Sequence, residues 1–149
     1  MEPYVALVQT LFRYTRAQFK DLKTFYFHNT IYEYLWEDAP RRHKPFPVVD
    51  LVRLDPDSRF IILGDASMAQ YELMTTGGSI HVDERSGRPS YERLKLIAQI
   101  FPHSAWVNPV LQRAWPYTYT IGLIQNIFPM FEFSLEGLEK AVTHLMRKN

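Results

Sequence analysis

Cysteine is absent from the 149 residues, and its absence excludes disulfides, zinc–thiolate sites and thiol catalysis. Charge imbalance is nearly absent as well: 17 Lys and Arg against 16 Asp and Glu leave +1. The basic residues are scattered, so the chain carries no electrostatic footprint for nucleic acid. The densest group, Arg41-Arg42-His43-Lys44, reads as a solvated loop. No apolar run approaches the roughly 20 residues that cross a bilayer. The opening MEPYVALVQ has neither the basic leader nor the cleavage pattern of a signal peptide. A cytoplasmic protein without a membrane segment is expected.

What is present is a core. Hydrophobic residues make up 46% and aromatic residues 15%, a globular composition. The length suits one domain spanning 1–149. Pro3–Lys20 carries Val5, Val8, Leu11, Phe12 and Phe19 at helical spacing, with Pro3 suited to a first turn. Leu22–His28 and Ile31–Trp36 read as two antiparallel strands around Asn29-Thr30. Glu37–Pro47 is polar and broken by prolines, and reads as a surface loop. Val48–Leu54 fits a short helix stopped by Asp55-Pro56-Asp57.

Phe60–Leu63 is a short strand, apolar on both faces as in a covered parallel sheet. Helical turns over Met68–Met74 and a long loop over Thr75–Pro89 follow. Then come a helix at Ser90–Phe101, a strand at His103–Val110 and an aromatic loop at Gln112–Tyr119. A helix at Thr120–Phe128, a strand at Met130–Phe133 and a last helix capped by Ser134 complete the order. Helices alternating with strands specify an α/β fold with a doubly wound, mostly parallel sheet.

The chemistry concentrates at Arg59–Met68, RFIILGDASM. In open α/β sheets ligands gather beyond the carboxyl ends of the strands. Gly64 lets the chain turn there and leaves Asp65 at the rim as a hard oxygen ligand, with Ser67 beside it. Equally, Asp65 or Ser67 can cap the helix that follows. The five histidines (His28, His43, His81, His103, His144) stand apart, with neither metal-ligand spacing nor a nucleophile motif. Gly77-Gly78 lacks the Lys-Ser/Thr of a P-loop. Trp106 reads as core. Trp115, beside Pro116, Tyr117 and Tyr119, reads as core or as part of an exposed aromatic interface.

Several phrases in this order carry a resemblance: FKDLKTFYFHNTIYEYLW, FIILGDASMAQYEL, GGS, WVNPV with WPYTYTIGLI, and MFEFSLEGLEKAV. Together they resemble von Willebrand factor A-type domains of the CoxE-like branch, over nearly the whole chain. The resemblance implies a Rossmann-like sheet with one antiparallel edge strand from the hairpin. It also implies a metal-ion-dependent adhesion site at the carboxyl edge. In the family an Asp-x-Ser/Gly-x-Ser loop follows the central first strand and usually ends in Gly-Ser-Met. Met1 stands where that methionine would be. The resemblance therefore implies an N-terminally truncated domain without that strand and its ligands, the beginning being either a displaced start or fragment boundary, or a stand-alone chain whose strands close up or pair with a partner. The family's second ligand position falls near Val48, which cannot coordinate a cation. The third matches Asp65.

A residual, weak Mg²⁺ site of Asp65 with Ser67 is thus expected, complete only with the missing residues or a partner. The function implied is a protein-binding module, not an enzyme, acting as adaptor to a MoxR-type AAA+ ATPase in the maturation or remodelling of metalloenzymes. The Thr75–Pro89 loop would face the partner, and unpaired strands could produce an oligomer. The alternative is a small Mg²⁺-dependent α/β hydrolase or phosphotransfer enzyme using Asp65.

Overall fold

Phe60–Leu63 forms strand β3 of a computed structural model that describes residues 6, 23–28, 30–31, 34–38, 40–67, 74 and 89–147. It lies parallel to β4, Ser104–Asn108, which lies parallel to β5, Met130–Glu132. Ile62 stands opposite Trp106, and Trp106 opposite Met130. Successive side chains of a strand point to opposite faces, so an unbroken apolar run needs cover on both. Both are covered. Helix α1, Ser90–Ile100, and helix α2, Tyr119–Gln125, bring Leu94, Ile97, Ile121 and Ile124 into one cluster with Ile62 and Trp106. Helix α3, Leu135–Leu145, sets Leu138 and Ala141 against Val107, with Ile61, Leu63 and Phe131 packed around them.

The described part of the protein is therefore mixed α/β, with a parallel sheet of three strands and a separate antiparallel pair. Ser134 caps α3 as its sequence position demands, its Oγ accepting from the Gly137 N–H at 3.0 Å. Such a cap contributes about 1 kcal/mol.

The antiparallel pair corrects the sequence-based expectation in two ways. Strand β1 is Tyr34–Trp36, and its ladder partner is β2, Pro45–Pro47, which the sequence had placed in a loop. The expected partner, Leu22–His28, meets β1 among the described residues through one bridge, Tyr26 to Trp36. Prolines are tolerated on an edge strand because the missing N–H faces outward. Phe46 between them packs its ring 4.8 Å from that of Phe25. Among the described residues no ladder joins this pair to the parallel sheet.

Val48–Arg53 is a 3-10 helix with Val48 and Leu51 buried, and it stops before Asp55-Pro56. Gln112–Tyr117 is also a 3-10 helix, where a loop was expected. Its Trp115 is core: the ring is buried and Nε1 donates to the Val110 carbonyl at 2.9 Å.

The basic stretch at 41–44 is an exposed turn wound around Asp38. The backbone N–H groups of Arg42 and Lys44 donate to that carboxylate at 2.9 Å, and that of His43 at 3.3 Å. The Arg42 N–H above all holds Asp38 below the usual carboxylate range. The helix expected over Pro3–Lys20 lies outside the described residues except for the helical Ala6. The expectations for Met68–Met74 and Thr75–Pro89 lie outside them too, apart from Met74 and Pro89. Among the described residues no helix is long and apolar enough to cross a membrane.

Candidate binding edge

The three parallel strands end together at Leu63, Asn108 and Glu132, and the chain beyond β3 is held there at successive carbonyls. Trp106 Nε1 donates to Gly64 O at 2.7 Å. Asn108 Nδ2 donates to Asp65 O at 3.0 Å, and Thr120 Oγ1 donates to Ala66 O at 2.8 Å. Gly64 N–H continues the ladder to Val107 O at 3.2 Å. A loop carbonyl buried without a partner would cost about 1–3 kcal/mol, so three such bonds fix the path of the backbone.

Ala66 takes a left-handed conformation, φ 56, and is completely buried. A non-glycine residue at positive φ persists where its surroundings over-determine it. The Thr120 bond on its carbonyl supplies part of that constraint. The fixed backbone turns Asp65 and Ser67 out to solvent on either side of Ala66.

Asp65 and Ser67 are brought together. The Ser67 N–H donates to Asp65 Oδ1 at 3.0 Å, and Ser67 Oγ donates to Asp65 O at 3.3 Å. This is an Asx turn, the capping geometry offered by these residue types. Asp65 itself is exposed.

The neighbouring oxygens are otherwise engaged. Asn108 accepts from the Val110 N–H through Oδ1 at 2.8 Å, so both ends of its carboxamide serve backbone. Glu132 Oε1 accepts from the Gln112 N–H at 2.8 Å. Val48 is fully buried and offers no oxygen from its side chain. Among the described residues there is no group of three or more His, Cys, Asp or Glu able to hold a metal ion. Mg²⁺ takes near-octahedral oxygen coordination at short range. Among the described residues, the one carboxylate and one hydroxyl of Asp65 and Ser67 fall short of that set.

The sequence pointed to Asp65 and Ser67 but missed what holds them. Asn108, before Pro109, looks like a strand terminator, and Thr120 like a helix-start residue. Only a tertiary fold shows that both donate to the loop after β3. Tyr117 and Tyr119 precede Thr120 by three positions and one, and Thr120 holds the Ala66 carbonyl. They are 89% and 65% exposed, and Leu111 is 50% exposed. The edge thus presents a fixed acid and a hydroxyl, and the segment that leads into Thr120 exposes two phenol rings. No family model, curated protein or solved structure matches the chain.

Proposed function

We propose that the chain is a protein-binding module and not an enzyme. It docks partner proteins at the carboxyl edge of a Rossmann-like sheet of the von Willebrand A type. The observation that carries this is the Gly64–Ser67 loop, held through three carbonyls while Asp65 stays exposed, with the exposed Tyr117 and Tyr119 on the segment that leads into Thr120. Rigid presentation of an acid suits recognition, because little conformational freedom is lost on binding. Tyrosine is enriched where interfaces concentrate their energy. The partner class, a MoxR-type AAA+ ATPase acting on metalloenzymes, rests on the CoxE-like resemblance of the sequence.

Binding of the purified chain to the MoxR-type ATPase of the same genome, measured by biolayer interferometry, tests this. Tyr117→Ala and Asp65→Ala are each expected to weaken Kd by roughly tenfold or more while leaving the thermal midpoint unchanged. Undiminished affinity in both variants would remove the carboxyl edge from the interface. Turnover of phosphate or ester substrates that disappears in Asp65→Asn would place the chain among the enzymes instead.

The donor set also makes a prediction about cations. Calorimetric titration with Mg²⁺ or Mn²⁺ is expected to give little or no heat with the isolated chain. Sub-millimolar binding lost in Asp65→Ala would reveal further ligands.

A further inference from the structure

Ala66 is the residue in the loop after β3 whose conformation runs against its type. Its φ is 56 and its methyl group is completely buried. The left-handed region brings a Cβ close to the following carbonyl oxygen, and only glycine enters it freely. Groups outside Ala66 must hold it there.

Each peptide unit is planar, so a bond to its carbonyl or its N–H holds the whole unit. The Ala66 dihedrals relate two such units, 65–66 before it and 66–67 after it. Asn108 Nδ2 donates to the Asp65 carbonyl at 3.0 Å and holds the first. Asn108 is itself anchored, because its Oδ1 accepts from the Val110 N–H at 2.8 Å. Thr120 Oγ1 donates to the Ala66 carbonyl at 2.8 Å and holds the second. With both units held, Ala66 is kept out of the right-handed region.

The second unit also reaches the acid. Its N–H, that of Ser67, donates to Asp65 Oδ1 at 3.0 Å. One rigid plane therefore accepts a bond from Thr120 at its carbonyl and donates one to the Asp65 carboxylate at its N–H. Thr120 is 4% exposed, and its hydroxyl spans 54 positions of sequence to make this bond. Threonine near a helix start ordinarily turns its hydroxyl to local backbone. Helix α2 has no such cap, since Thr118 in the cap position makes no side-chain bond to the helix.

We propose that Thr120 is the positioning residue of the edge: its hydroxyl selects the left-handed Ala66 and thereby aims the Asp65 carboxylate. Without that bond the 66–67 unit turns, Ala66 relaxes to the right-handed region and the Ser67 N–H leaves Asp65. The consequence for a partner rests on the binding reading above, whereas the conformational effect belongs to the free chain.

Nuclear magnetic resonance on the full chain, with no partner present, tests this. In the unaltered chain Ala66 is expected to give the strong intraresidue HN–Hα cross-peak of a positive φ. Thr120→Val keeps the volume and removes the donor. It is expected to weaken that cross-peak and to speed exchange of the Ser67 amide by roughly fivefold to tenfold, the effect of an ordinary hydrogen bond. The Trp106 indole N–H, bonded to Gly64 O ahead of the turn, should exchange as before. Thr120→Ser retains the hydroxyl and should retain both loop signals. Ala66→Gly added to the Thr120→Val chain should restore Ser67 protection, because glycine takes positive φ without steric penalty. A weak Ala66 cross-peak in the unaltered chain would overturn the proposal, and that measurement needs no variant to fold. So would a Thr120→Val chain in which Ser67 and the Trp106 indole loosen together, or in which neither changes. If the loop signals hold and the ATPase still fails to bind, the binding reading falls and the positioning role stands.

Discussion

Replacing Gly137 by alanine is expected to destabilise the protein by about 3 kcal/mol, the upper end for overpacking a dense site. Gly137 lies in the first turn of α3, directly after β5, and the turn folds back over the strand. A Cβ at this position would overlap the Glu132 carbonyl oxygen, with Glu132 C at 2.8 Å and Glu132 N at 3.1 Å. All three are backbone atoms of β5, so no side chain can swing aside. The helix must lift, which pulls Leu138 and Ala141 from Val107 and strains the Ser134 cap. Gly122→Ala is the matched control. A Cβ there meets nothing within 4 Å, and Gly122 is inside α2. Alanine is expected to stabilise by about 0.5–1 kcal/mol at such a position. Urea unfolding of the two variants should move the midpoint in opposite directions. Equal midpoints would show that α3 does not sit against β5 as described.

Trp106→Ala is expected to cost about 3–5 kcal/mol, the range for deleting a large buried aromatic ring. Trp106 is completely buried, with its ring centroid 5.9 Å from that of Phe128. It also donates to Gly64 O, so the substitution removes one of the three bonds that fix the binding loop. Trp106→Phe restores much of the packing and none of the donor. The phenylalanine variant should therefore recover most of the unfolding free energy while partner affinity stays reduced. Recovery of both together would mean that the indole N–H does not position Asp65.

The parallel half of the fold was legible because local signals agreed there. Phe60–Leu63 is bounded by Arg59 and Gly64 and apolar throughout, and the structure gives those same limits. Leu94 and Ile97, like Leu138 and Leu145, repeat at helical spacing and are buried. Pro45–Pro47 was illegible for the opposite reason. Two prolines in three residues signal a loop, and only the apolar seat of Phe46 makes an edge strand of them. At the candidate site, Asp65 and Ser67 could be read from their place after a strand. The left-handed Ala66 could not, since alanine carries no local sign of positive φ. Nor could Asn108, 43 positions from its acceptor.

The hydroxyl of Ser90, at the start of α1, lies 2.6 Å from that of Thr30 and donates to Ile31 O at 2.5 Å. Both side chains are shut away from water, and 60 positions of chain separate them. Parting them in a dry interior would leave hydroxyls and a carbonyl without partners. The early segment around Thr30 and the helix leading into β4 are thereby tied into one melting unit, and optical probes placed in either should trace a single transition.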